Sequence, residues 1–93
     1  MAIAIITFWG PERGGRYTPP STGYCPQVDI RGIHTSCMVE SLEGEEIFSF
    51  EKEHRVLLKL MFPDQNPNAF EVGDVVSLYE GSKLIGSGKN VAG

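Results

Sequence analysis

Cysteine and histidine side chains are the first candidates for chemistry in this sequence of 93 residues. His34 and Cys37 have the H-x-x-C spacing of a metal-ligand pair. Cys25 and His54 are isolated from them, whereas structural zinc sites usually present two close ligand pairs. We therefore expect a buried structural cysteine and a surface histidine here, with no metal and no other cofactor.

The sequence offers little that resembles a catalytic site. Asp29, His34 and Ser36 would make a nucleophile, base and acid trio, but we expect the alternation of side chains along strands to scatter them. No GxxxxGK[ST] phosphate-binding motif is present, so the chain itself is not expected to bind GTP. The sequence therefore predicts a protein that is not an enzyme.

The stretch from Gly14 to Arg31, GGRYTPPSTGYCPQVDIR, is the part of the chain whose backbone conformation is most constrained by its residue types. Its two glycines permit positive φ, and the Pro19-Pro20 pair pushes the preceding residues toward extended or turn conformations. The end of the stretch alternates polar and apolar residues, as a half-buried strand does. This pattern predicts a structured loop that leads into a strand, and such loops are often recognition surfaces.

Strands account for the rest of the chain. The first half contains an apolar run and two strands separated by a kink at Gly32, over Ala2–Phe8, Pro26–Ile33 and Thr35–Ser41. The second half contains three more, over Arg55–Phe62, Val75–Tyr79 and Leu84–Val91. Between the halves, Ile47–Phe50 is predicted as a short strand with Phe48 and Phe50 on one face.

Residue types also predict the connections between these strands. Pro63–Asn68 is a loop by composition, and Gly81-Ser82 has the character of a two-residue hairpin turn. Gly86 and Gly88 inside the last strand indicate a bulge or a tight barrel corner. The six strands other than the short Ile47–Phe50 favour a closed antiparallel barrel in so short a chain, because closure removes exposed edges.

Length and composition limit the class of protein. Ninety-three residues allow one domain over residues 1–93, and 41% hydrophobic residues are ordinary for a globular fold. The net charge of −4 counts against a strong general nucleic-acid binder. The apolar amino terminus, MAIAIITF, lacks a basic flank and is too short to span a bilayer. We expect a cytoplasmic protein with reduced thiols and no membrane association.

Several motifs, taken in order, resemble a known family. GGRYTP, GYCPQVDIR, HRVLLKLMFP, YEG and GSG are similar to successive motifs of the C-terminal β-barrel domain of translation elongation factor Tu and related translation GTPases. The resemblance covers residues 1 to about 91, and the first motif is the most specific. It implies a six-stranded Greek-key barrel, here as a stand-alone domain.

The resemblance also implies a binding face. In that family the matching positions grip the T-stem of aminoacyl-tRNA, through an arginine on phosphate, polar side chains on the backbone and an aromatic ring on sugar. The implied site residues are Arg16, Tyr17, Gln27, Arg31, Ser36, Glu80 and Gly81. Arg16 and Gln27 have an alternative structural role, which is to hold the crossover loop onto the barrel.

Two functions remain open at this point. The first is a protein-binding module with a translation-related or other cytoplasmic partner, since the resembled domain also packs on its GTPase domain and on the nucleotide-exchange factor. The second is a weak tRNA- or RNA-binding accessory protein that uses the Arg16, Gln27 and Glu80 face. The six glutamates from Glu40 to Glu53 are most typical of a solvated edge that prevents aggregation, and of the two functions they favour protein binding.

Overall fold

The computed structural model describes residues 2–61 and 71–92. These residues form six β-strands and one short 3-10 turn. The strands are β1 (Ala2–Phe8), β2 (Gln27–Ile30), β3 (Ile33–Ser41), β4 (Glu53–Leu60), β5 (Val75–Glu80) and β6 (Lys83–Ala92). The predicted loop Pro63–Asn68, and Phe62 at the predicted end of β4, lie outside the described residues.

The six strands close into one antiparallel barrel in the order β1-β4-β3-β2-β5-β6, with β6 returning to β1. Strands β2, β3 and β4 are consecutive neighbours, and β5 returns to lie beside β2. That arrangement is a Greek key. The prediction of an all-β, six-stranded antiparallel Greek-key barrel is therefore confirmed.

Strand alternation builds the interior of the barrel. In β1, Ala2, Ala4, Ile6 and Phe8 are buried, while the residues between them are partly exposed. The strand therefore presents one fully buried face, and the continuous apolar run reflects partial cover on the other face. Val56 and Leu58 of β4 point inward, and they lie opposite Ala4 and Ala2. Small residues on β1 thus face large residues on β4, which fills the core.

Strands β2 and β3 are joined more tightly than the sequence predicted. Strand β2 ends at Ile30, and Arg31-Gly32 form a two-residue turn before β3 begins at Ile33. Both turn residues have positive φ, 54° and 82°, as a type I′ hairpin turn requires. Asp29 stabilises the turn, because its Oδ1 accepts a hydrogen bond from the Gly32 amide at 2.9 Å.

The last hairpin agrees with the sequence. Gly81-Ser82 connects β5 to β6, and Gly81 has a φ of 65°. Gly86 lies against β1, where an added Cβ would stand 2.5 Å from the carbonyl oxygen of Thr7. The register also shifts between Leu78 and Tyr79, so the predicted irregularity is present in this hairpin.

The predicted strand Ile47–Phe50 is wrong. Ile47 makes a single isolated bridge with Ser21, and residues 42–52 otherwise run as turns and extended backbone. Phe48 is buried in the core and its ring stacks on Phe8 at 5.4 Å, whereas Phe50 is partly buried against that core. The apolar alternation there reflects two aromatic side chains that cover the barrel at the end of β1, and not strand pairing.

The described residues include no helix of the length and apolar character needed to cross a bilayer.

Candidate binding site

A groove of about 540 Å³ lies on the outside of the barrel. It lies where β2, β3 and the β5–β6 turn come together. Its walls are formed by Gln27, Val28, His34, Thr35, Ser36, Tyr79, Gly81 and Ser82. Most of these residues offer neutral hydrogen-bonding groups, and Tyr79 adds an aromatic ring.

Strand register places the groove residues side by side. Gln27 pairs with Ser36 on β3 and with Tyr79 on β5, so three outward positions form a row across the sheet. Gly81 follows at the turn, two residues beyond Tyr79. Of the residues predicted for the binding face, Gln27, Ser36 and Gly81 therefore line one groove.

Arg16 and Glu80 lie next to this groove as an ion pair. Arg16 Nη1 donates to Glu80 Oε2 at 3.0 Å, and Arg16 Nε donates to the carbonyl oxygen of Thr18 at 3.1 Å. The guanidinium also lies over the ring of Tyr24, 4.6 Å from its centroid. These contacts commit the arginine charge to the protein itself, as the structural role predicted for Arg16 requires.

Tyr24 is the residue of this cluster that the sequence analysis missed. Its hydroxyl donates to the Glu80 carboxylate. Burial, and secondly that hydrogen bond, raise the pKa of Tyr24 to about 12. Its edge also packs on Phe8, with ring centroids 6.2 Å apart. The GYCPQ motif contained Tyr24, but nothing in the sequence paired it with a residue 56 positions away.

Tyr17 extends the same surface outward. Its side chain is 83% exposed, and Lys83 Nζ lies 5.0 Å from its ring centroid. Lys83 is the first residue of β6, immediately after the turn that borders the groove. An exposed aromatic ring with a cation over it can contact either an apolar side chain or a sugar.

Arg31 does not belong to this cluster. It lies in the turn at the opposite end of β2 from Gln27, about 13 Å away along the strand. Arg31 Nε makes an ion pair with Asp74 Oδ1 at 3.0 Å. The predicted strand Pro26–Ile33 would have kept Arg31 on the same strand as Gln27, but β2 ends at Ile30 and the turn redirects Arg31.

The four zinc candidates are divided between the interior and the surface. Cys37 and His54 are buried, whereas Cys25 is exposed and the His34 side chain is 77% exposed. Within residues 2–61 and 71–92, no group of three or more potential ligands comes together.

One part of the rejected catalytic trio is closer than expected. His34 and Asp29 are cross-strand partners, with His34 Nε2 3.4 Å from Asp29 Oδ2. Strand alternation brings these two together, and did not scatter them, because the tight Arg31-Gly32 turn sets them opposite each other. Ser36 instead lies opposite Gln27.

The fold and site define a small Greek-key barrel with a neutral, polar groove on its wall and an ion pair beside that groove. No model of a known protein family matches this chain.

Proposed function

We propose that this protein is a non-catalytic binding module whose groove takes a segment of another protein. The observation that carries the proposal is the composition of the groove. Gln27, Ser36 and Ser82 supply uncharged donors and acceptors, which suit the amide and carbonyl groups of a polypeptide. Tyr79 and the adjoining Tyr17 supply aromatic surface of the kind enriched at protein interfaces.

The charge of the groove and of the chain favours a protein partner over a nucleic acid. Arg16 stands beside the groove, but Glu80 neutralises it at 3.0 Å. The chain as a whole carries a net charge of −4. A nucleic acid would therefore meet a surface without the basic excess that normally supplies its affinity.

The resemblance to the C-terminal domain of elongation factor Tu suggests where the partner acts. That family uses this domain for contacts with its own GTPase domain and with the nucleotide-exchange factor. We infer a cytoplasmic partner connected with translation. A six-stranded barrel hosts many unrelated functions, so this inference rests on the sequence motifs and not on the fold.

Weak binding of tRNA or another RNA is the second candidate. The observation in its favour is the exposed Tyr17 ring with Lys83 over it, directly beside the Arg16 position. Two or three phosphate contacts on an acidic domain would give a dissociation constant on the order of 10⁻⁴ M or weaker at physiological salt. RNA binding would then need help from another component.

Site-specific photo-crosslinking in cells tests the protein-binding function. A photoreactive residue at Ser82 lies in the groove, and the same residue at the exposed Lys89, near the far end of β6, is the matched control. We expect one defined protein to crosslink from Ser82 and not from Lys89. The affinity of that purified protein should fall about tenfold or more when Ser36→Trp fills the groove. An unchanged affinity in a folded Ser36→Trp protein would refute the groove as the binding site.

A parallel titration decides the RNA candidate. Fluorescence anisotropy of labelled tRNA is measured at low and at physiological salt, with the wild type and with Arg16→Ala. Salt-sensitive binding that Arg16→Ala weakens would favour RNA as the ligand. Absence of binding even at low salt would exclude it.

A further inference from the structure

The polar side chains of the groove are not used by the barrel itself. Gln27, Ser36, Tyr79 and Ser82 line the groove, and within residues 2–61 and 71–92 none of their side chains makes a hydrogen bond to another residue. Their amide and hydroxyl groups can each donate and accept. The groove therefore presents uncommitted hydrogen-bonding groups, which the amides and carbonyls of an extended polypeptide can satisfy.

One unpaired positive charge borders the groove at its β5–β6 end. Lys83 follows the lining residue Ser82, and its Nζ lies 5.0 Å from the centroid of the Tyr17 ring. Glu80 is the cross-strand partner of Lys83, but its carboxylate is bound by Arg16 at 3.0 Å. In the part of the chain that the structure describes, Lys83 forms no ion pair. Its ammonium group is therefore available to an anion.

The opposite end of the groove has a carboxylate of its own. His34 lines this end, and its Nε2 lies 3.4 Å from Oδ2 of Asp29. The other oxygen of that carboxylate accepts a hydrogen bond from the Gly32 amide at 2.9 Å. A second carboxylate placed here would be repelled by Asp29. The two ends therefore favour different groups, an anion at Lys83 and a group without negative charge at Asp29.

Strand spacing gives the length of the groove. Ser77 of β5 is in register with Asp29, which is in register with His34, so His34 lies two strands away from β5. Gly81 lies four residues beyond Ser77 along β5 and its turn. With about 4.8 Å between strands and about 3.3 Å per residue, the diagonal from His34 to Gly81 is about 16 Å. An extended chain of about five residues covers that distance.

We propose that the groove takes an extended segment of about five residues from the partner protein, with one acidic side chain at the Lys83 end. This inference rests on the protein-binding function proposed above and adds the chemistry of the bound segment. The backbone of the segment meets the Gln27, Ser36 and Ser82 side chains, and its carboxylate meets the Lys83 ammonium. The methylene stem of the acidic side chain packs on the exposed Tyr17 ring.

A single acidic residue suits this surface better than a polyanion. Lys83 is unpaired, whereas Arg16 is already neutralised by Glu80. A nucleic acid gains its affinity from several phosphate contacts, each of which releases counterions. One exposed ion pair contributes little affinity, but it selects the residue type at one position of a bound segment. Asp29 at the far end acts against a run of acidic residues.

Selection from a displayed library of random peptides tests this proposal and the proposed function separately. The peptides are about eight residues long, which exceeds the length of the groove. The wild type is the bait, and Ser36→Trp, which fills the groove, identifies peptides that bind elsewhere. We expect groove-dependent peptides with Asp or Glu enriched at one position near an end of their shared motif.

The two ways in which this selection can fail have different meanings. Absence of any peptide whose binding Ser36→Trp abolishes would refute the groove as a peptide site, and both proposals with it. Groove-dependent peptides without an acidic preference would leave the protein-binding function standing and would overturn the present inference alone.

A double-mutant cycle identifies the cation. The acidic residue of a selected peptide is replaced by its amide, and Lys83→Gln is made in the barrel. Each change alone should weaken binding about twofold to fivefold, the range of an exposed ion pair, and the two together should weaken it no further. Lys89→Gln, at an exposed lysine near the far end of β6, is the matched control and should leave the affinity unchanged. Losses that multiply would overturn the proposal. So would displacement of the peptide by tRNA at physiological salt, which would make a nucleic acid the ligand.

Discussion

Arg16 and Glu80 form an ion pair across 64 positions of sequence, with 3.0 Å between Nη1 and Oε2. The pair connects the loop that follows β1 to the end of β5, and the Tyr24 hydroxyl donates a hydrogen bond to the same Glu80 carboxylate. Arg16, which the family resemblance implied as a phosphate ligand, therefore also holds the crossover loop in place. Its substitution has consequences for stability that must be separated from any effect on binding.

Arg16→Ala should lower the free energy of unfolding by about 1 kcal/mol. The Glu80 side chain is 52% exposed, so solvent screens the ion pair, and the stacking of the guanidinium on Tyr24 adds a contribution of similar size. Urea denaturation measures the change, with exposed Arg55→Ala as the control for loss of a surface arginine. Equal midpoints for the two variants would show that Arg16 does not hold the loop.

Tyr24 should ionise well after an ordinary tyrosine. Its pKa of about 12 lies above the usual 10.0, so the folded state favours the neutral phenol. The stability that this preference contributes is complete below pH 10 and is lost as the pH rises toward 12. Absorbance at about 295 nm, where the phenolate absorbs, follows the ionisation of the three tyrosines of the chain. It should resolve one tyrosine that ionises later than the others.

Glu80→Gln provides the control for that titration. Removing the carboxylate charge should lower the pKa of Tyr24 toward its usual value, because Glu80 is the second cause of the rise after burial. Tyr24→Phe should delete the late step altogether. A late step that survives in Tyr24→Phe would assign it to another tyrosine.

Gly86→Ala should destabilise the barrel by about 2 kcal/mol or more, since the new methyl group would meet backbone and not a movable side chain. The Cβ would stand 2.5 Å from the Thr7 carbonyl oxygen and 3.2 Å from the Phe8 Cα. Thermal unfolding measures the loss, and Ser87→Ala, one residue further along β6, is the control. Equal melting temperatures for the two variants would mean that β1 and β6 are further apart than in this structure.

The two cysteines should differ in reactivity. Burial, and secondly the nearby Cys25, raise the pKa of the Cys37 thiol to about 12. Cys25 is exposed. A thiol reagent at neutral pH should therefore modify one equivalent quickly in the native protein and a second one only after denaturation. Cys25→Ser should abolish the fast phase, and a fast phase that persists would place Cys37 at the surface.

Much of the barrel could be predicted because its signals are local. Alternation placed Val56 and Leu58 inward, and the Gly81-Ser82 turn was recognisable from residues that permit it. The same reasoning failed at Ile47–Phe50, where two aromatic residues on alternate positions were interpreted as a strand. Periodicity reports which side chains are buried, and a segment that covers the end of a barrel buries its side chains without pairing as a strand.

The candidate site was predictable only in part. Gln27 and Ser36 were selected through the family resemblance, and strand register then placed them opposite each other. Arg31 was selected through the same resemblance, but it lies in the Arg31-Gly32 turn and pairs with Asp74. The tight turn that ends β2 directs the Arg31 side chain to a different part of the molecule from Gln27.

Local sequence patterns were enough to predict most of the strands, the hairpin turn at Gly81-Ser82 and the closed six-stranded class, since these depend on neighbouring residues and on the length of the chain. The same patterns could not predict that Glu80 neutralises Arg16 or that Asp74 pairs with Arg31. Those contacts depend on barrel closure and on the path of the connecting segments, which bring together groups that no local pattern relates.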